Sequence, residues 1–111
     1  MKKILLVVMA ALFVPAMASA ACNYYTCEDV KITVLVTIGD GNVLIRTNGN
    51  QSALDCTQES GVYMTLLASS ARFKEMYANL LAFQLADKPM SFRVNIGSTG
   101  CTLAYIHGNT P

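Results

Sequence analysis

The residues of this chain that could do chemistry are four cysteines, two adjacent tyrosines, seven acidic side chains and one histidine. Cys22, Cys27, Cys56 and Cys101 admit three pairings if oxidised. Cys22 and Cys27 are near neighbours, so a local bridge between them is favoured, with Cys56 then joined to Cys101. The longer loop of that second pair would restrict the unfolded chain more, by about 3–4 kcal/mol in the entropic account. The C-x4-C spacing also suits a metal, but the one histidine is distant and there is no second close cysteine pair, so no metal is expected. Catalysis finds little support. His107 lies in a polar tail, His107 to Pro111, that is expected to fray. No Gly-x-Ser-x-Gly elbow surrounds any serine, and oxidised cysteines cannot act as nucleophiles. Asp40 with Asp55, or Glu28 with Asp29, can be drawn as a carboxylate pair for sugar hydrolysis, yet each acid sits beside turn residues and reads as a solvated loop acid. Gly39-Asp40-Gly41 lacks the following helix that a phosphate loop needs. The expectation is a protein that is not an enzyme and holds no cofactor.

Binding is better provided for. Tyr24 and Tyr25 fall between Cys22 and Cys27, close to the expected bridge. A tyrosine ring packs on the C–H face of a sugar while its hydroxyl remains free to hydrogen-bond. The competing role is internal, with Tyr25 plugging one end of the fold. Tyr63, Tyr77 and Tyr105 are read as core.

The compartment follows from the first residues. Lys2 and Lys3 precede an apolar run from Ile4 to Val14, Pro15 breaks it, and Ala18-Ser19-Ala20 places small residues where a signal peptidase cuts. The run is shorter than the roughly 20 residues a membrane span needs. Residues 1–20 are therefore expected to be a removed signal peptide, and residues 21–111 a single secreted or periplasmic domain where disulfides persist. Ser19-Ala20-Ala21-Cys22 also resembles a lipoprotein cleavage box. However, the usual aliphatic residue three before the cysteine is Ser19, and lipidation would leave an odd number of thiols. Export removes two of eight basic residues and leaves six against seven acidic ones. With no basic stripe, nucleic acid is not an expected partner. Stable membrane insertion is not expected either, because the most apolar later segment, Ala78 to Ala86, carries Asn79 and Gln84.

These groups must be held by a small sheet protein. Val30, Ile32, Val34, Val36 and Ile38 alternate with Lys31, Thr33, Leu35 and Thr37, which predicts a long half-buried strand with the first set inward. Gly39-Asp40-Gly41-Asn42 predicts a hairpin turn. Val43 to Asn48 continues as a second strand, and Asn48-Gly49-Asn50-Gln51-Ser52 is a polar turn. Val62 to Leu67 reads as a third strand. Phe73, Met76, Tyr77, Leu80, Leu81 and Gln84 share a helical face, with Ser69 or Ser70 as cap and Pro89 as stop. Ser91 to Ile96 and Cys101 to Ile106, separated by Gly97-Ser98-Thr99-Gly100, supply two more strands. The fold class is mainly β with one helix. The order β-β-β-α-β-β is that of an OB-fold-like five-stranded barrel; the competing layout is an open sheet with a helix across one face. Leu81, Ala82 and Leu85 cannot face the same core as Phe73, Tyr77 and Leu80, so either loops or a neighbouring subunit must cover them.

The chain resembles the small secreted OB-fold B subunits of bacterial toxins, in the branch of subtilase cytotoxin and typhoid toxin. The resemblance rests on Val30-Lys31-Ile32-Thr33, Asp55-Cys56-Thr57, and the helix leading into Lys88-Pro89-Met90-Ser91-Phe92-Arg93-Val94, with Cys101 near the end. It implies a ring-shaped pentamer with helices lining its centre and glycan pockets on its surface. That branch grips sialylated glycans through residues around its first strand. Here Glu28 stands near the position of a gripping serine, where its carboxylate would repel an anionic sugar. The architecture therefore carries over and the sialic-acid specificity does not. Tyr24, Tyr25 and Glu28 are the candidate ligand-binding residues, and Leu81, Ala82 and Leu85 the candidate oligomer face. The expected function is a secreted binding module for a glycan or cell-surface ligand. The alternative is a monomeric exported protein that binds or inhibits a protein partner.

Overall fold

The computed structural model describes residues 21–108; the expected signal peptide and the last three residues lie outside the described residues. Strands dominate, and one α-helix interrupts them. A four-stranded antiparallel sheet contains, in spatial order, β1 (Ala21–Asn23), β2 (Thr26–Val30), β7 (Met90–Val94) and β9 (Leu103–Gly108). A second antiparallel sheet contains β3 (Ile32–Thr37), β4 (Val43–Thr47) and β6 (Met64–Leu66). β5 (Thr57–Gln58) and β8 (Thr99–Gly100) form a short parallel pair. α1 (Phe73–Leu85) follows β6 and packs against β3 and β9. The three sheets are separate ladders and do not close on one another.

β2 and β3 are consecutive, separated only by Lys31, and belong to different sheets. Two irregularities make this possible. Between Cys27 and Val30 the register against β7 slips by one, and Asp29 lies there with φ 53°. An extra residue in one strand bends it and re-aims its side chains, so Cys27 and Val30 are both fully buried although three positions apart. A second slip lies between Ile32 and Val34 against β4. It overturns the simple alternation expected from the β-branched residues. Ile32 and Leu35 pack on the core, whereas Val36 is exposed.

The core fills the space between the two larger sheets and the helix. Val30, Val43, Ile45, Met64, Leu66, Leu80, Met90, Phe92 and Val94 are almost wholly inaccessible to solvent. The predicted caps of Ser69 or Ser70 are not used. The helix begins after Arg72 without a side-chain cap, and the Ser70 carbonyl accepts the Phe73 N–H instead. Its other end stops as a Schellman turn. Asp87 N–H donates to the Gln84 carbonyl and Lys88 N–H to the Phe83 carbonyl, with Asp87 at φ 52° where glycine is usual. Pro89 follows and commits the chain to β7.

Other expected boundaries move for local reasons. The third strand is only Met64–Leu66, because Glu59 and Tyr63 bond each other's backbone across a tight turn. Cys101 does not open the last strand. It takes φ 46° between β8 and β9, and β9 instead runs on to Gly108. His107 is therefore a strand residue opposite Ser91 rather than part of a frayed tail. A Cβ on Gly108 would overlap the Phe83 ring, so the helix seals that end of β9.

Cys22 pairs with Cys27 and Cys56 with Cys101, the pairing favoured from sequence. The second bond lies beside the β5–β8 pair and joins segments 45 residues apart. Gln51, read from sequence as a loop residue, is buried and fully engaged. Its Oε1 accepts from the Thr47 N–H and hydroxyl, and its Nε2 donates to the Val62 and Ile45 carbonyls. Removing the Cys56–Cys101 bond with paired Cys→Ser changes is expected to lower unfolding free energy by about 4 kcal/mol, read by urea denaturation. Gln51→Leu leaves the Thr47 N–H and the Val62 carbonyl without partners and is expected to cost about 2–3 kcal/mol in the same assay. A midpoint within error of wild type would refute either assignment.

Candidate functional site

The Cys22–Cys27 bond joins two residues directly opposite in the β1–β2 ladder, so Asn23, Tyr24, Tyr25 and Thr26 form the tip of a covalently closed hairpin. Tyr24 holds φ 55° at the bend, a conformation unusual for a bulky side chain. The tip is also anchored from outside the hairpin. Tyr24 N–H donates to the Ala53 carbonyl, and the Tyr24 carbonyl accepts from Asp55 N–H at 2.6 Å. The Tyr25 carbonyl accepts from Val94 N–H and so extends the pairing of β7 to the tip.

Across the sheet, Thr26 pairs with Arg93 and Arg93 with Tyr105. The neighbouring row, Cys27, Phe92 and Ile106, turns inward, so Thr26, Arg93 and Tyr105 face outward. Four side chains meet there. The Tyr24 and Tyr25 rings stand edge to face at 5.6 Å. The Arg93 guanidinium carbon lies 4.7 Å from the Tyr25 ring centre and 5.6 Å from that of Tyr105. Arg93 Nη1 also donates to the Tyr105 hydroxyl at 3.5 Å. This bond, more than the charge effects of Tyr105 and Tyr25, holds the guanidinium above its ordinary pKa despite partial desolvation. Among the described residues Arg93 forms no ion pair with a carboxylate. The tyrosines stay accessible, with 52% of Tyr24, 37% of Tyr25 and 47% of Tyr105 exposed.

Tyr24 and Tyr25, two of the predicted ligand residues, are thus brought together. Glu28 is exposed on β2 opposite Ala21 and forms no ion pair with Arg93. Tyr105, read as core, is instead on the surface and belongs to the cluster. In the sequence Arg93 stands out only as part of the family-like segment from Lys88 to Val94. The signal that could have found it is the alternation of Arg93 and Asn95 with inward Phe92 and Val94. The proposed carboxylate pairs have local roles: Asp40 accepts from the Asn42 N–H and side-chain amide, and Asp55 joins the hairpin tip through its backbone. No group of three or more potential metal ligands occurs among the described residues.

The helix surface is the second candidate. Met76 and Leu80 are buried, and Phe73, Tyr77 and Phe83 are partly so. Leu81 does not share that face. Ala78, Leu81, Ala82, Leu85 and Ala86 are all exposed and form a stripe at helical spacing, with Leu85 86% accessible. Among the described residues no loop covers this stripe. A cavity of about 690 Å³ lies elsewhere, between β3, β4 and the loops 48–52 and 61–62, and neither tyrosine of the hairpin tip lines it. Among the described residues no helix is long and apolar enough to cross a membrane. The chain matches no family model, no curated protein and no solved structure.

Proposed function

We propose that this chain is an exported, non-catalytic binding module that recognises a glycan on another surface through Tyr24, Tyr25, Arg93 and Tyr105. The observation that carries the reading is the exposed tyrosine–arginine cluster on a disulfide-closed hairpin. Aromatic faces accept the C–H side of a pyranose. Arg93, without a carboxylate partner among the described residues, offers directional donors to ring and hydroxyl oxygens. A site fixed by a covalent loop and a sheet loses little conformational freedom on binding. The two disulfides suit the oxidising space outside the cytoplasm.

Strand connectivity supports an OB-like barrel as the scaffold. β2 and β3 taken together as one strand pair with β7 at one end and β4 at the other. β4 pairs with β6, β7 pairs with β9, and a single parallel bridge from Thr65 to Thr102 links the β6 and β9 segments. These neighbours support the strand order of a five-stranded Greek-key barrel with the helix between its third and fourth strands. With the bare Leu81, Ala82 and Leu85 face, it supports a ring, pentameric by resemblance to toxin B subunits. The second reading, a monomer that binds or inhibits another protein, is favoured by the same stripe if its cover is a different chain.

On a glycan array the wild-type protein is expected to bind a discrete set of structures. Tyr25→Ala and Arg93→Gln should each weaken that binding about tenfold or more, with Lys74→Gln unchanged. Absence of any glycan binding would remove the first reading. Light scattering after size exclusion is expected to show an oligomer that Leu81→Asp with Leu85→Asp converts to a monomer of about 10 kDa. A wild-type monomer would remove the ring.

A further inference from the structure

We infer that the cavity between the β3–β4 face and the loops 48–52 and 61–62 is a second binding site, for a sugar-sized ligand bearing a phosphate or sulfate oxyanion. Its volume of about 690 Å³ lies in the range of small-molecule sites. No Asp or Glu lines it. Arg46 does, exposed and, among the described residues, without a carboxylate partner. It stands opposite Val34, after the register slip in β3.

The amides around it are polarised in one direction. Asn48 Oδ1 accepts the Lys31 N–H, and Asn50 Oδ1 accepts the Ser52 hydroxyl. Each carbonyl oxygen thereby accepts a bond within the protein, and among the described residues neither NH2 group donates one. Three donor groups, one of them cationic, thus line a wall without acids. Such a wall matches an acceptor-rich anion, and a guanidinium is suited to the geometry of phosphate or sulfate. Thr33 and Ser52 also line the cavity, and because each donates its hydroxyl proton inside the protein, each oxygen keeps acceptor capacity for ligand hydroxyls. Val62 contributes an apolar patch for a sugar C–H face.

The cavity is also preformed. Gln51 holds its floor through bonds to Thr47, Ile45 and Val62. Gly49 is pressed onto the Cys22–Cys27 bond, where a Cβ would come within 2.9 Å of Cys22 Sγ and 2.8 Å of Val30 Cγ1. The site shares no lining residue with the tyrosine–arginine cluster, so the two readings succeed or fail independently.

The test is titration of the isotopically labelled protein with glucose 6-phosphate, glucose 6-sulfate and glucose, followed by amide chemical shifts. Saturable shifts confined to residues 33–34, 46–52 and 61–62 are expected with either charged sugar. Binding of glucose, and binding of the charged sugars to Arg46→Gln or Asn50→Asp, is expected to be about tenfold weaker or more. The phosphate and sulfate arms decide which anion is preferred. Failure of both to saturate by about 10 mM would overturn the inference. So would shifts centred on Tyr25 and Arg93, or an affinity unaffected by Arg46→Gln.

Discussion

Everything else in the molecule depends on one bent path, the run from Thr26 to Thr37 that serves both larger sheets. An unbroken strand of that length would keep a single alternation of faces. The slips at Asp29 and near Thr33 instead reset which side chains point inward, once for each sheet. The first reset buries Cys27 and Val30 together and leaves Thr26 in the outward row with Arg93 and Tyr105. The second turns Leu35 toward the core and aligns Val34 with Arg46 at the edge of the cavity. Each candidate surface is thus the outer side of one half of the same bent run.

Both surfaces are also tied to the Cys22–Cys27 bond. On one side the bond closes the loop carrying Tyr24 and Tyr25, and on the other it lies against Gly49 beneath the cavity rim. A small domain buries a modest fraction of its surface, and covalent closure and the Gln51 network compensate where apolar packing is thin. The helix shows the opposite condition. Leu80 is inaccessible while Leu85 is almost fully solvated. Covering a solvated leucine completely is worth about 1.5–3 kcal/mol, so the stripe from Ala78 to Ala86 is a standing gain for any chain that sits on it.

Much of the framework was legible from residue patterns. The mainly β class, the single helix ended before Pro89, the hairpin turn at Gly39-Asp40-Gly41-Asn42 and the division of helix faces all follow from periodicity and turn chemistry. What periodicity could not show were its own interruptions. Asp29, Cys101 and Asp87 adopt positive φ without being glycine. Asp29 and Cys101 have partners distant in sequence, Ser91 Oγ for the Asp29 N–H and Cys56 and the Thr65 N–H for Cys101, whereas Asp87 is set by the helix end just before it. Tyr24 and Tyr25 were visible as a candidate site because both lie between two cysteines. Arg93 and Tyr105 were not, because cross-strand register places them, and register emerges only from the assembled sheet. Gln51 was missed for the same reason: a polar residue in an Asn-Gly-Asn-Gln-Ser stretch looks solvated until its four partners are assembled around it.

The two sulfur bridges span unequal lengths of chain, so the loop each must close differs in its entropic cost. Closing a segment of five positions needs no other part of the fold. Partners 45 positions apart must close a long loop, and in the folded chain Thr99–Gly100 lies along Thr57–Gln58 beside them. The hairpin bearing Tyr24 and Tyr25 is therefore fixed by a local bond, whereas the second bridge ties together distant parts of the chain.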